Sequence, residues 1–99
     1  MAPRSPATGP MAEIHRLMGE ASAAFGQGDL ARAAAVAERV LGLAPQMPEA
    51  LHLLGLCFLK RGDALRALPL IRQAAGLKPR DAQLLHNLGV ASVEAGDGH

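Results

Sequence analysis

The sequence predicts an all-α fold built from helix–turn–helix pairs, and three observations support that prediction. The dipeptide Gly-Asp begins at residues 28, 62 and 96, so both intervals are 34 residues, which is a known helix–turn–helix repeat length. Apolar residues recur three and four positions apart between these turns, as in amphipathic helices. A hydrophobic fraction of 49% with a net charge of +1 argues against a disordered or polycationic chain. The 99 residues allow one small domain.

The chain opens with a segment that we expect to be a flexible leader, residues 1–13. It holds three of the seven prolines and lacks the apolar core of a signal peptide, and Met11 is an alternative first residue. With no targeting segment, a cytoplasmic location is expected. Beyond the leader, the spacing predicts five helices, over about residues 12–27, 30–43, 48–61, 64–77 and 82–95.

The second 34-residue unit shows how each helix begins and ends. Gly62 ends the first helix of the pair, because glycine adopts the left-handed conformation without steric cost. Asp63 follows it and is placed to cap the next helix, which stops before Pro79. Pro69 falls within that helix, where it removes a hydrogen bond and bends the axis, so we expect it to contribute to curvature of the stack.

A family resemblance rests on the residues that recur at this period. The second unit contains Leu51-x2-Leu54-Gly55-x2-Phe58, Ala67-x3-Ile71 and Pro79. The third contains Leu85-x2-Leu88-Gly89-x2-Ser92, and the first contains Leu17-x2-Glu20-Ala21-x2-Ala24, Ala33-x3-Ala37 and Pro45. This pattern resembles the tetratricopeptide repeat (TPR). The resemblance covers residues 14–97 and implies a right-handed α-solenoid of about two and a half units: a degenerate 14–47, a complete 48–81, and the first helix of a third unit in 82–99.

The resemblance also implies a binding function without chemistry of its own. Proteins of this family hold peptides or partner helices in a concave groove lined by the first helix of each pair. The groove candidates in this sequence are Glu49, His52, Leu56, Lys60, Gln83, His86, Asn87, Val90 and Glu94. Their mixed character favours a partly apolar ligand over a strongly charged tail. Asparagine pairs with the ligand backbone in peptide-binding members, but the equivalents of Asn87 are Leu53 and Gly19, so no asparagine ladder is expected.

Neither a cofactor nor a catalytic group is expected. His52 and His86 recur at one repeat position, but we expect another helix to lie between their helices, which would leave the imidazoles too far apart to share a metal ion. Cys57 lies on an apolar stripe and is expected to be a buried small hydrophobe. The chain has no phosphate loop, metal cluster or convergent acid–base set, so we expect no enzymatic activity from it.

Charge and composition also exclude several partners. Two phenylalanines without tryptophan or tyrosine provide no stacking platform for single-stranded nucleic acid. The second unit has six basic and three acidic residues, but they scatter over turns and the outer helix, so we expect a solvated face. No apolar run approaches the length of a membrane span.

Three functional interpretations remain open. The first is a protein-interaction scaffold. The second is the substrate-recruiting arm of a larger bacterial enzyme, because LHLLG at 51–55 and LHNLG at 85–89 resemble repeats found ahead of O-GlcNAc-transferase-like or sulfotransferase domains. The third is self-assembly into a homo-oligomer through the fifth helix, which is apolar over much of its surface. Because a terminal helix normally has a polar outer face, we also expect residues 1–99 to open a longer array.

Overall fold

A computed structural model describes residues 9–96, and that part of the chain contains five α-helices and no β-strand. The helices are α1 (Pro10–Gly26), α2 (Leu30–Leu43), α3 (Pro48–Lys60), α4 (Ala64–Leu77) and α5 (Ala82–Glu94). Each helix packs on the next along the chain, and α3 also contacts α1 and α5. The fold is an all-α solenoid, as the 34-residue repeat predicts.

The first helix begins earlier than the sequence predicted. It starts at Pro10 with Gly9 as its N-cap, so residues 10–13, which we assigned to a flexible leader, belong to α1. Proline is well tolerated at the first helical position, because its missing N–H has no intrahelical partner there. The rest of the leader, residues 1–8, lies outside the described residues.

The Gly-Asp turns adopt the predicted geometry. Gly28, Gly62 and Gly96 have φ angles of 81°, 80° and 85°, which is the left-handed conformation that glycine favours. After Gly62, the Asp63 amide donates to the Phe58 carbonyl at 2.8 Å, which closes the end of α3 in a Schellman arrangement.

Aspartate side chains then start the following helices. The Asp63 side chain accepts from the Arg66 amide at 3.3 Å and caps α4, as predicted. Asp29 and Asp81 cap α2 and α5 in the same way. One short sequence element therefore ends a helix and starts the next one.

The core is made largely of small side chains between neighbouring helices. Five alanines of α1 and α2 are buried, namely Ala21, Ala24, Ala33, Ala34 and Ala37. In the second pair, Gly55 allows α3 to approach α4 closely. A methyl group added at Gly55 would come within 2.5 Å of Cγ1 of Ile71, so this contact requires glycine.

Pro69 lies inside α4, which continues as one helix through it. The proline ring is exposed, so it fills no gap in the core. As a proline, it lacks the N–H that would bond to the carbonyl four residues earlier.

Candidate functional site

A groove of about 510 Å³ lies between α1 and α3. Four residues of α1 form one wall, and residues of α3 with the preceding Met47 form the other. The lining residues are His15, Met18, Gly19, Ser22, Met47, Glu49, His52, Leu53 and Leu56. The groove thus combines apolar and methionine side chains with histidine, serine and carboxylate groups.

His52 connects this groove to α5. Its Nε2 atom lies 2.8 Å from Nδ2 of Asn87 on α5. Because an amide nitrogen can only donate, Nε2 accepts the bond, and the imidazole is neutral with its proton on Nδ1. This tautomer is assigned from the orientation of the Asn87 amide, whose nitrogen faces the ring. The bond orients the imidazole and ties α3 to α5.

Partial burial favours the neutral form of this imidazole. Desolvation lowers the pKa of His52 below its usual value, and the negative charge of Asp81 opposes that effect. A neutral, oriented imidazole can donate through Nδ1 to a ligand carbonyl.

The structure corrects one prediction about the two recurring histidines. We expected another helix between the helices that carry His52 and His86, but α3 and α5 contact each other directly. The first helices of successive pairs lie side by side because each pair stacks on the previous one as a layer. Among residues 9–96, no group of three or more candidate ligands could hold a metal ion.

The predicted groove residues fall into separate places. Glu49, His52 and Leu56 line the groove, and Asn87 reaches it through its bond to His52. Lys60 lies further along α3, with Nζ 5.8 Å from the centre of the Phe25 ring. Thus α3 contributes most of the predicted residues that meet at one site.

The candidates on α5 are more dispersed. His86, Val90 and Glu94 border a second depression on α5, together with Leu85, Gly89 and Val93. Gln83 is exposed near the start of that helix and lines neither depression.

Sequence reasoning missed the wall contributed by α1. The groove residues on α1 are His15, Met18, Gly19 and Ser22. Each of them lies 34 residues before a residue of α3 that also lines the groove. The repeat register was therefore the signal that could have found them. Met47 lies outside that register.

One ion pair involves a groove residue, and two more lie on α1. Glu49 pairs with Lys78 at 3.4 Å. On α1, Arg16 bridges Glu13 and Glu20 at 2.7 and 2.8 Å, and its guanidinium lowers the pKa of Glu13. The Glu20 side chain keeps 35% of its surface exposed and pairs with Arg16, so a carboxylate is tolerated where the other two units have leucine.

The remaining candidate chemical groups are inert or dispersed. Cys57 is fully buried, as predicted, and burial raises the pKa of its thiol, which disfavours the nucleophilic thiolate. The six basic residues of the second unit are all exposed on turns and helix ends or along α4, namely Lys60, Arg61, Arg66, Arg72, Lys78 and Arg80. Over residues 9–96, no helix combines the length and apolar character needed to cross a membrane.

Comparison with known families identifies the class. The profile of a tetratricopeptide repeat family matches residues 18–82. The chain therefore belongs to the tetratricopeptide repeat family, a class of non-catalytic helical repeats that generally mediate protein–protein interaction.

A solved structure adds a more specific similarity. The chain resembles part of a mutant O-GlcNAc transferase from Thermobaculum terrenum, with 36% identity and a TM-score of 0.82. The match covers 94% of this chain and 17% of that protein, so the chain corresponds to a small part of the transferase. No curated protein matches the chain significantly.

Proposed function

We propose that this chain is a protein-interaction scaffold whose groove between α1 and α3 binds a partly apolar peptide segment or partner helix. The observation that carries the proposal is the groove itself, about 510 Å³ in volume and lined from two successive units. Family membership supports the same class of function.

The side chains of the groove suit a ligand of mixed character. Met18, Met47 and Leu56 offer adaptable apolar contact. His52, held by Asn87, offers a donor for a backbone carbonyl. Glu49 can accept from a ligand amide or cation, although it also pairs with Lys78.

Selection from a random peptide library, followed by titration of the isolated chain with the selected peptide, tests this proposal. We expect enriched peptides to be partly apolar and to shift NMR signals of α1 and α3 residues. Replacing Leu56 with aspartate places a charge in the groove and should weaken binding at least about tenfold, since losing one apolar anchor costs more than about 1.4 kcal/mol.

The matched control is Leu65→Asp, because Leu65 is 74% exposed on α4 and lies outside the groove. It should leave peptide affinity unchanged, and circular dichroism should show both variants folded. Peptides that bind both variants equally would contradict the proposed site.

We propose as a second candidate that the chain is the substrate-recruiting arm of a larger enzyme. The similarity to part of an O-GlcNAc transferase supports it, with 36% identity over 94% of this chain. In that arrangement the groove would hold a protein substrate, and the catalytic domain would lie elsewhere in the same polypeptide.

The mass of the native polypeptide in its source cells distinguishes the two candidates. An antibody against this segment that detects only a 10.3 kDa product would rule out the enzyme arm. A much larger product would support it. In the full-length protein, Leu56→Asp should then reduce turnover of protein substrates and leave turnover of small-molecule substrates unchanged.

A further inference from the structure

The start of α3 differs from the start of α5, although the two backbones match. Met47 is the N-cap of α3 and makes no side-chain hydrogen bond to its helix. Asp81 stands 34 residues later, and its side chain accepts from the Leu84 amide at 3.1 Å. The φ and ψ angles are −83° and 110° at Met47, and −80° and 108° at Asp81. Aspartate would therefore suit both positions. Because an apolar side chain cannot supply the capping bond, methionine at this position needs another explanation.

The side chain of Met47 lines the groove between α1 and α3. Met18 of α1 lines the same groove. Both methionines are partly buried and pack against the core cluster that contains Leu17 of α1 and Leu53 of α3. Two thioethers from separate segments of the chain are thus brought to one concave surface.

This pair of thioethers favours an aromatic group on the ligand. Contacts between sulfur and an aromatic ring are favourable, often at the ring edge, and methionine side chains are flexible enough to adapt to a flat ring. Neither of the two phenylalanines of the chain lines the groove, so the chain supplies no phenyl ring to this surface. Aromatic residues are also frequent anchors in protein interfaces.

Charge sets a second requirement on the ligand. Glu49 is the only carboxylate among the described residues that line the groove, and neither a lysine nor an arginine is among them. The Glu49 side chain is 54% exposed and pairs with Lys78 at 3.4 Å. Exposed pairs of this kind contribute little to stability. A cationic side chain of a ligand can therefore replace Lys78 at Glu49 with little loss.

We infer that Met18 and Met47 form a subsite for an aromatic side chain of the bound peptide, and that Glu49 binds an adjacent lysine or arginine side chain. Met47 determines specificity at a position where aspartate would serve only the helix. This inference rests on the proposed function, because it specifies the ligand of the same groove.

Peptides selected from the random library supply the probes. We expect the tightest-binding peptides to contain an aromatic residue beside a lysine or arginine. In the tightest of them, phenylalanine and cyclohexylalanine are then placed in turn at the aromatic position, which keeps the bulk of the side chain but removes the π system. NMR titration should show that cyclohexylalanine weakens binding at least about threefold, because two sulfur–ring contacts are lost.

Leucine variants of the protein test the role of sulfur. Combining Met18→Leu with Met47→Leu keeps the groove apolar, so the two peptides should bind this variant within about twofold of each other. Met11→Leu is the matched control, because Met11 is 58% exposed on α1 and lies outside the groove. It should keep the preference for phenylalanine, and circular dichroism should show both proteins folded.

A glutamine variant tests the cation contact. Glu49→Gln should weaken binding of the selected peptide about two- to fivefold, as expected for an exposed charge pair. It should not affect a version of the peptide with norleucine in place of the lysine or arginine. Glu38→Gln, at an exposed position of α2 outside the groove, should leave both affinities unchanged. An unchanged affinity in Glu49→Gln would overturn the assignment of the cation.

Three results would overturn the aromatic subsite and leave the proposed function standing. One is a set of groove-binding peptides without aromatic residues, and another is equal binding of the phenylalanine and cyclohexylalanine peptides to the unchanged protein. The third is a double leucine variant that keeps the preference, because the ring would then contact other groups. A library that yields no groove-binding peptide would instead overturn the proposed function together with this inference.

Discussion

Gly55 shows how one missing methyl group sets the distance between two helices. Its backbone lies against Ile71, and Ile71 is fully buried. An added methyl group therefore has to displace a side chain that is held on all sides.

We predict that Gly55→Ala lowers the free energy of unfolding by about 1–3 kcal/mol, since overpacking exceeds the gain in helix propensity. Urea denaturation measures the change. Gly76→Ala, at an open helical position, serves as the control and should stabilise the protein. An unchanged or raised stability in Gly55→Ala would mean that Ile71 moves aside without cost.

His52 makes stability depend on pH in a defined direction. Burial lowers its pKa in the folded protein, so the unfolded chain binds a proton at this site more readily. As the pH falls below about 6.5, the unfolded state gains protons first and stability decreases. The stabilising contribution is complete above the unfolded pKa and is lost as the pH falls through the lower pKa of the folded state.

We predict that His52→Gln reduces the loss of stability between about pH 7.5 and pH 5, because glutamine does not titrate. Chemical denaturation at several pH values gives the slope. Gln83→Ala, at an exposed position on α5, should keep the wild-type slope. If His52→Gln keeps it as well, another group is responsible for the pH dependence.

At the scale of the helices, Pro69 opposes the helical conformation around it, because proline is disfavoured in a helix interior. From the sequence, we expected it to contribute to curvature of the stack, and the structure shows an exposed ring in an uninterrupted α4. Because the ring is not buried, core packing does not offset the hydrogen bond that proline removes.

We predict that Pro69→Ala raises the free energy of unfolding by about 1–3 kcal/mol, because alanine restores the hydrogen bond and favours the helix. Thermal and urea denaturation both report this change. Gln73→Ala, at another exposed position of α4, should have a much smaller effect. A loss of stability in Pro69→Ala would instead show that the stack requires the bend.

The helices were predictable because the residues that begin and end them act locally. Gly62 and Asp63 act through backbone conformation and a hydrogen bond three residues away, so their effect can be read from neighbouring residues. The start of α1 was missed because Pro10 stands in a proline-rich stretch, where composition suggested a leader although proline also suits a first helical turn.

The groove was less predictable because it depends on contacts between helices far apart in sequence. The family resemblance indicated Glu49, His52 and Leu56, but it could not show that Asn87 bonds to His52 across 35 positions. That bond depends on how closely α3 and α5 approach each other, which follows from the packing of α4 against both helices.

At the scale of the whole molecule, the helices differ in how many neighbours support them. α3 packs against α2 and α4 and also contacts α1 and α5, whereas α5 packs on α4 and touches only the edge of α3. In a stack of repeats, stability comes from such neighbouring interfaces, so the helices should open at different free energies.

We predict that amide hydrogens exchange most slowly in α3 and much faster in α5. Hydrogen exchange followed by mass spectrometry measures both helices in one experiment. Alkylation of Cys57, fully buried in α3, gives an independent check, since the thiol should react only when α3 opens. Equal protection of α3 and α5 would contradict this gradient.

The 34-residue repeat has a consequence for how such a gene can change. If residues 48–81 were duplicated in frame, the new junction would place Asp81 directly before Pro48. An aspartate N-cap followed by proline is a favourable helix start. The copied helix pair would also pack against the same kind of helix that α3 and α4 pack against now. A single in-frame duplication could therefore lengthen the protein by one helix pair and extend its binding surface, and the new junction would need no compensating mutation.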